Sequence, residues 1–311
     1  MQTTITNSVK IAADFIKSGE VTAFPTETVY GIGANAYDEK AVRKIFKAKG
    51  RPADNPLIVH VARKSDIAVL ASEITPSAKK IIKAFFPGPV TVILRKNEIV
   101  PGVVTAGLDT IAIRMPASKI ARELINLSGV PIAAPSANLS GSPSPTNFIH
   151  VLGDMRNIIP CVLVGPSAKY GLESTVIDCT GKFPVILRPG SITLEQIKKL
   201  DKNAMYQKRA GKIKSPGQKY KHYAPKARVK FVKREMSNVK RLKEAYIGLN
   251  KKFAKGFEVA KVCRSIEEYA KNLFSFFREC DELGVKTIYC EKVPEKGIGV
   301  AIMNRLVKAM G

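Results

Sequence analysis

The sequence is poor in the residues that build metal clusters and disulfide frameworks. Its five cysteines (Cys161, Cys179, Cys263, Cys280 and Cys290) are an odd set without a C-x-x-C pair, and three histidines cannot complete a cluster with them. A disulfide scaffold and a structural zinc site are therefore excluded. Long apolar runs are missing too. The apolar stretches are strand-length and broken by Pro, Gly or charge, and the opening "MQTTITNSVKIAADF" lacks the basic and apolar blocks of a signal peptide. These absences predict a cytoplasmic protein that makes no use of a membrane. No G-x-x-x-x-G-K-[ST] occurs, which excludes a P-loop. Acidic residues are scarce, 26 against 51 Lys and Arg, for a formal net charge of +25. From Ala204 onward the balance is 26 basic to 10 acidic residues, so the excess lies toward the C-terminus. Such a field attracts polyanions: nucleotides, pyrophosphate or RNA. No paired aromatic signature of an RNA-recognition sheet accompanies it, which makes direct RNA binding the lesser reading.

What is present suffices for two cores: 311 residues, 45% of them hydrophobic. Strand-like runs "VTAFP", "PLIVHV", "VTVILR", "TIAIRM", "PIAAPS", "CVLVG", "STVID" and "PVILRPG" alternate with helical patterns at 7–18, 38–49, 76–86 and 117–128. This predicts a mixed α and β domain over residues 1–203, closing on a helix in "SITLEQIKKL" behind a Ser191 or Thr193 cap. Residues 204–228 have no apolar period and are dense in Lys, Gly and Pro, the composition of a linker. Over 229–311, "RVKFVK", "AKVCR" and "VKTIYCE" read as strands and "IEEYAKNLFSFFRECDELG" and "GVAIMNRLVKA" as helices. A small α/β domain with a parallel sheet follows.

Chemistry-bearing residues collect where these elements meet. In "KAKGRPADNPLIVHV" a helix ends near Gly50 and a strand begins, with Lys49, Arg51, Asn55 and His60 around one corner. Taken alone, the corner is solvated charge beside a satisfied core histidine. "FPTETVYGIG" exposes Thr26, Glu27 and Thr28 at a strand end, as turn formers or as ligands. "APSANLSGSPSPT" sets Ser136, Asn138, Ser140, Gly141 and Ser144 after an apolar strand, a composition suited to an anion-binding nest or to a plain Ser/Pro loop. Arg114 sits inside the apolar strand "IAIRMP" and needs an anion there, either a ligand carboxylate or an internal acid. "GLESTVIDC" and "ILRPGS" add Glu173, Ser174, Thr175 and Arg188. The G-x-G-x-x-A match in "GIGANA" is discounted as a dinucleotide site, because the next helix has its own cap at Asp38 instead of starting at the glycines. No Ser/His/Asp order and no activated cysteine emerges.

Six ordered segments, "KAKGRPADNPLIVHV", "PTETVYGIGANA", "FFPGPVTVIL", "APSANLSGSPSPT", "GLESTVID" and "SPGQKYKHYAP", together resemble the Sua5/YrdC/YciO family in its two-domain form, across essentially the whole chain. The resemblance implies an α/β protein: an α+β YrdC-like catalytic domain with a twisted mixed sheet, then a small Rossmann-like C-terminal domain. It implies synthesis of threonylcarbamoyl-AMP and pyrophosphate from L-threonine, bicarbonate or CO2, and ATP with Mg²⁺ carried by the ATP phosphates, ahead of a tRNA threonylcarbamoyl transferase. The family's K-x-R…S-x-N pattern falls on Lys49, Arg51, Ser136 and Asn138, the implied catalytic set. Thr28, His60, Arg114, Ala134 and Ser174 would hold threonine, with Arg114 forking to its carboxylate. Lys49, Arg51, Asn55, Thr110, Ser136, Ser144, Arg188 and Tyr223 would hold ATP. Residues 214–226, with Pro216, Gly217, Tyr220, His222 and Tyr223 in fixed order, are then expected to cover the cleft as a lid. The alternative is a non-catalytic RNA-binding or RNA-assembly factor using a basic concave face.

Overall fold

The computed structural model describes residues 1–207, 223–232 and 241–311. Most of the predicted lid, including Pro216, Gly217, Tyr220 and His222, falls outside the described residues.

The first unit is built on strands β1 (Thr4–Thr6), β2 (Thr22–Phe24), β3 (Gly31–Asn35), β4 (Ile58–His60), β5 (Val90–Arg95) and β6 (Thr110–Arg114). It continues with β7 (Ile132–Ala134), β8 (Cys161–Leu163), β9 (Thr175–Asp178), β10 (Val185–Arg188) and β11 (Met205–Tyr206). Among the described residues they form one mixed sheet in the order β1-β8-β2-β3-β7-β4-β6-β5-β9-β10-β11. Period-two alternation sorts its residues. Val59, Ile113, Ala133, Val92 and Ile177 point into the main core under helices Glu39–Lys49 and Pro76–Phe85. On the opposite face Ile58, Ala112, Ile93 and Val176 make only a small cluster, and this face carries the site.

Local chemistry explains the helix limits. Asp38 accepts from the Ala41 N–H to start helix Glu39–Lys49, and Gly50 ends it in the left-handed region at φ 57°. Thr193, not Ser191, caps helix Leu194–Lys198, in a capping box with Gln196. "GIGANA" is a strand, antiparallel to both β2 and β7. A Cβ on Gly33 would stand 2.3 Å from Ile132 Cγ2 and 2.8 Å from Phe24 Cε1, so that glycine serves close packing, not a phosphate. Helix Phe148–Met155, capped by Asn147, lies outside the predicted helical patterns, because Pro and Ser around it mask its short apolar face.

The second unit is an all-parallel sheet of β12 (Arg228–Phe231), β13 (Arg241–Gly248), β14 (Phe257–Val262) and β15 (Thr287–Cys290), in the order β12-β15-β13-β14. Helices Ile266–Glu282 and Gly299–Met310 pack on it through Phe274, Phe277, Ile302 and Leu306. Strand β13 is not among the predicted strands, because its Lys, Glu and Arg interrupt the apolar alternation. The ends of the expected linker are structured: Met205–Tyr206 pairs with β10, and Tyr223 stacks on Phe274, centroids 5.3 Å apart. The second core also takes in Val29 and Leu172 of the first unit. All five cysteines are free and buried, two in the first unit and three in the second.

Candidate active site

Strand ends gather the site. Parallel register sets His60 of β4 beside Arg114 of β6, and antiparallel register sets Ile58 beside Ala134 of β7, so these four side chains share the lightly covered face. One cleft lies above them. It is lined by Thr28, His60, Arg114, Ala134 and Ser174, and further along by Lys49, Arg51, Ser136, Asn138, Ser144, Arg188 and Tyr223. The cleft does not take in Asn55 or Thr110. Asn55 is buried, 1% exposed. Thr110 begins β6, about 13 Å along the strand from Arg114 at ordinary rise.

At the threonine end of the expectation, Arg114 already has an internal acid. Its Nη2 donates to Glu27 Oε1 at 2.7 Å and its Nη1 to Thr28 Oγ1 at 2.9 Å, while Nε–H is buried with no partner among the described residues. Thr26 commits its hydroxyl proton to Val29 O at 2.6 Å, so Thr28 is the donor across the 2.9 Å gap to Thr26 Oγ1. Thr28 therefore presents only an acceptor to the cleft. Burial drives the Glu27 carboxyl up, but the Arg114 charge and fork outweigh it and hold the pKa below the ordinary value. His60, 4% exposed, is pushed down to about 3 by burial and then by Arg114. It is a neutral imidazole, and Nδ1 lying 3.2 Å from Ile58 O leaves Nε2 as an acceptor.

At the other end, cations are held by carbonyls. Buried Lys49 reaches across from its helix to donate to Ser136 O and Asn138 O, and Ser140 N–H returns a bond to Lys49 O at 3.0 Å. This stitches the loop after β7 to the corner between helix Glu39–Lys49 and β4. Ser136 Oγ donates to Asn138 Oδ1, and Asn138 Nδ2 donates to Ser142 O at 2.9 Å, which shapes the loop from within. Arg51 Nη2 donates to Pro56 O at 3.2 Å. Arg188 donates from Nε to Ser174 O and from Nη2 to Ser174 Oγ, both at 3.1 Å, and hydrogen-bonds Tyr223. Ser174 Oγ also lies 2.8 Å from Thr91 Oγ1.

Two acids outside the implied catalytic and binding sets, Glu27 and Glu173, pair with Arg114 and Arg305. Glu173 Oε1 accepts from Ser144 Oγ at 2.5 Å. Neither acid is available for a metal, and no group of three or more metal-ligating side chains exists among the described residues. The cleft thus offers a neutral histidine, hydroxyl acceptors and a bank of cations, with all thiols buried elsewhere. Such a set can orient an amino acid beside a polyphosphate.

A family model described as "Telomere recombination", covering the Sua5, YciO and YrdC proteins, matches residues 14–190. One described as "Threonylcarbamoyl-AMP synthase, C-terminal domain" matches residues 192–311. The chain is 50% identical to threonylcarbamoyl-AMP synthase of Pyrococcus abyssi, over 97% of this chain and 94% of that protein. It is 44% identical to the Bacillus subtilis protein of the same name, over 98% and 94%. A crystal structure of P. abyssi Sua5 complexed with L-threonine superposes with a TM-score of 0.92 at 45% identity, over 99% of this chain and 98% of that one. The chain belongs to the Sua5/YciO/YrdC family, in its two-domain Sua5 form.

Proposed function

We propose that this chain is an L-threonylcarbamoyladenylate synthase, condensing L-threonine, bicarbonate or CO2, and ATP to threonylcarbamoyl-AMP and pyrophosphate. The observation that carries the reading is the single cleft that brings Arg114 and neutral His60 together with Lys49, Arg51 and Arg188. Relatives at 50% and 44% identity bear the name of that activity, and a neighbour of the same fold is described with L-threonine bound.

In this reading Arg114, through its Nε edge, pairs with the threonine carboxylate, and the His60 acceptor steers the amine. The amine captures CO2 as a carbamate, releasing a proton. A carbamate oxygen then bonds the α-phosphorus as the bond from that phosphorus to the β-bridging oxygen breaks, and the electron pair leaves with pyrophosphate. No enzyme nucleophile takes part. Lys49, Arg51 and Arg188 place the triphosphate and face the charge that grows on the leaving group. Ser136 and Asn138 keep the loop in register with Lys49. Mg²⁺ would neutralise phosphate charge, and the donor set fits an ion carried by the nucleotide, since both cleft acids are engaged by arginines. The product is a labile mixed anhydride, which implies a following transferase acting on tRNA adenosine. The test is pyrophosphate release from ATP by the purified protein. Release requiring both threonine and bicarbonate is expected; RNA binding with no such release would favour the RNA-factor alternative.

A further inference from the structure

A fully buried arginine from the second unit reaches the back of the cleft. Arg305, on helix Gly299–Met310, is 0% exposed and does not line the cleft itself. Its Nε donates to Glu173 Oε2 at 3.0 Å, its Nη1 to Pro189 O at 2.9 Å, and its guanidinium carbon stands 5.3 Å from the Tyr223 ring centroid. Glu173, 6% exposed, spends its other oxygen on the Ser144 hydroxyl.

Adhesion between the units does not explain this residue. Val29 and Leu172 already sit in the second core, and Arg278 makes a two-pronged bond to Asp154, 3.0 Å and 2.6 Å, while donating to Pro143 O. A buried ion pair is a poor adhesive, because desolvation offsets most of its attraction. Arg305 is better accounted for by what it does to Glu173. An ionised carboxylate only accepts, so Ser144 must spend its proton on Glu173 and turn only lone pairs to the cleft. A protonated Glu173 could donate instead and reverse that polarity.

We propose that Arg305 is a positioning residue for the nucleotide, acting through Glu173 to fix Ser144 as a hydrogen-bond acceptor in the cleft. Ser144 then reads a donor on the nucleotide, a ribose hydroxyl or an amino group, and not a phosphate oxygen. The charged and titratable groups around Glu173 are Arg305 and Lys308 from the same helix, Arg188 from the end of β10, and Tyr223. Burial pushes the Glu173 carboxyl up; Arg305 first, and then Arg188, bring it below the ordinary value. Without Arg305 the upward push is only partly opposed, and Glu173 takes its proton at a higher pH.

This inference rests on the cleft being the nucleotide site, and the test separates the two. The full chain and its R305M, R305K, S144A, R305M/S144A and R305M/E173Q variants are compared by ATP titration calorimetry with threonine present, and by the pH profile of pyrophosphate release. R305M is expected to weaken ATP about tenfold, the scale of one charge-assisted hydrogen bond, with a smaller change in turnover. The acid limb of its kcat/KM profile should move up by about one pH unit or more, and R305K should keep the wild-type limb. On the S144A background R305M should cost little further affinity, because its route is gone. R305M/E173Q removes the carboxylate that R305M alone would leave without its Arg305 partner; it should fold if R305M does not, and should show weakened ATP without the shifted limb. R278M, which breaks a different set of inter-unit bonds, should lower stability and leave the limb in place. Unchanged ATP affinity in a folded R305M or R305M/E173Q, or a full additional loss on S144A, overturns the proposal. A wild-type protein that binds ATP but releases no pyrophosphate refutes the synthase reading alone, and the affinities still decide the role of Arg305.

Discussion

At the scale of single residues, the cleft separates charges that act on ligand from charges that act on protein. Arg51 belongs to the first kind in the proposed reaction. Replacing it with Ala is expected to lower turnover about a hundredfold or more, as loss of one preorganised cation at a charge-developing step does. Steady-state kinetics at saturating threonine and ATP measure this, and wild-type turnover would remove Arg51 from the mechanism. His60 acts on stability as well. Its folded pKa, about 3, lies below the ordinary value near 6.5. Between these values the unfolded chain holds a proton that the folded chain refuses. The contribution is complete above pH 6.5 and is lost as pH falls toward 3. H60Q should therefore lose about 2 kcal/mol less than wild type between pH 6.5 and 5, by urea unfolding at the two pH values. His150, pushed down to about 4 by burial and then Arg278, adds a smaller limb of the same sign in both proteins. Equal losses would show that His60 is protonated in the native cleft.

At the scale of elements, strand ends fix the site, and glycines decide how closely they approach. A Cβ on Gly190 would meet Thr175 N at 2.5 Å, Glu173 O at 2.7 Å and Ser174 C at 2.8 Å, all backbone that cannot rotate away. G190A should displace the segment carrying Glu173 and Ser174, costing about 1–3 kcal/mol and a larger share of activity than of stability. Gly153, in helix Phe148–Met155, has open space where a Cβ would go, and G153A should stabilise by about 0.5–1 kcal/mol. Thermal unfolding and kinetics on the two variants check both signs. This scale was also the most legible in sequence. "PLIVHV", "TIAIRM" and "PIAAPS" read as strands and are strands. Their order in the sheet was not legible, since the pairing of β4 with both β6 and β7 depends on contacts some fifty to eighty residues apart. The ATP roles of Asn55 and Thr110 came from family likeness alone, and neither residue lines the cleft. Glu27 and Glu173 were visible as residues but not as partners, because Arg114 and Arg305 lie 87 and 132 positions from them.

At the scale of the molecule, the two units are joined by polar bonds to one loop: Arg278 on Pro143 O, Ala224 N–H on Gly141 O, and Arg305 through Glu173 on Ser144. Gly171, at φ +71°, lies so close to helix Ile266–Glu282 that a Cβ would fall 2.2 Å from Lys271 O. Breaking one unit open should disturb the other. The cysteines turn that statement into a measurement. Burial raises every thiol pKa, so an alkylating reagent at neutral pH meets neither exposed sulfur nor thiolate until the chain opens. Cys161 and Cys179 then report on the first unit, and Cys263, Cys280 and Cys290 on the second, each readable by peptide mass. In native wild type the two sets should react at a common rate; in R278M the second set should run ahead. The thiols that ruled out a disulfide scaffold thus serve as paired stopwatches, started by the same reagent and read from opposite halves of the chain.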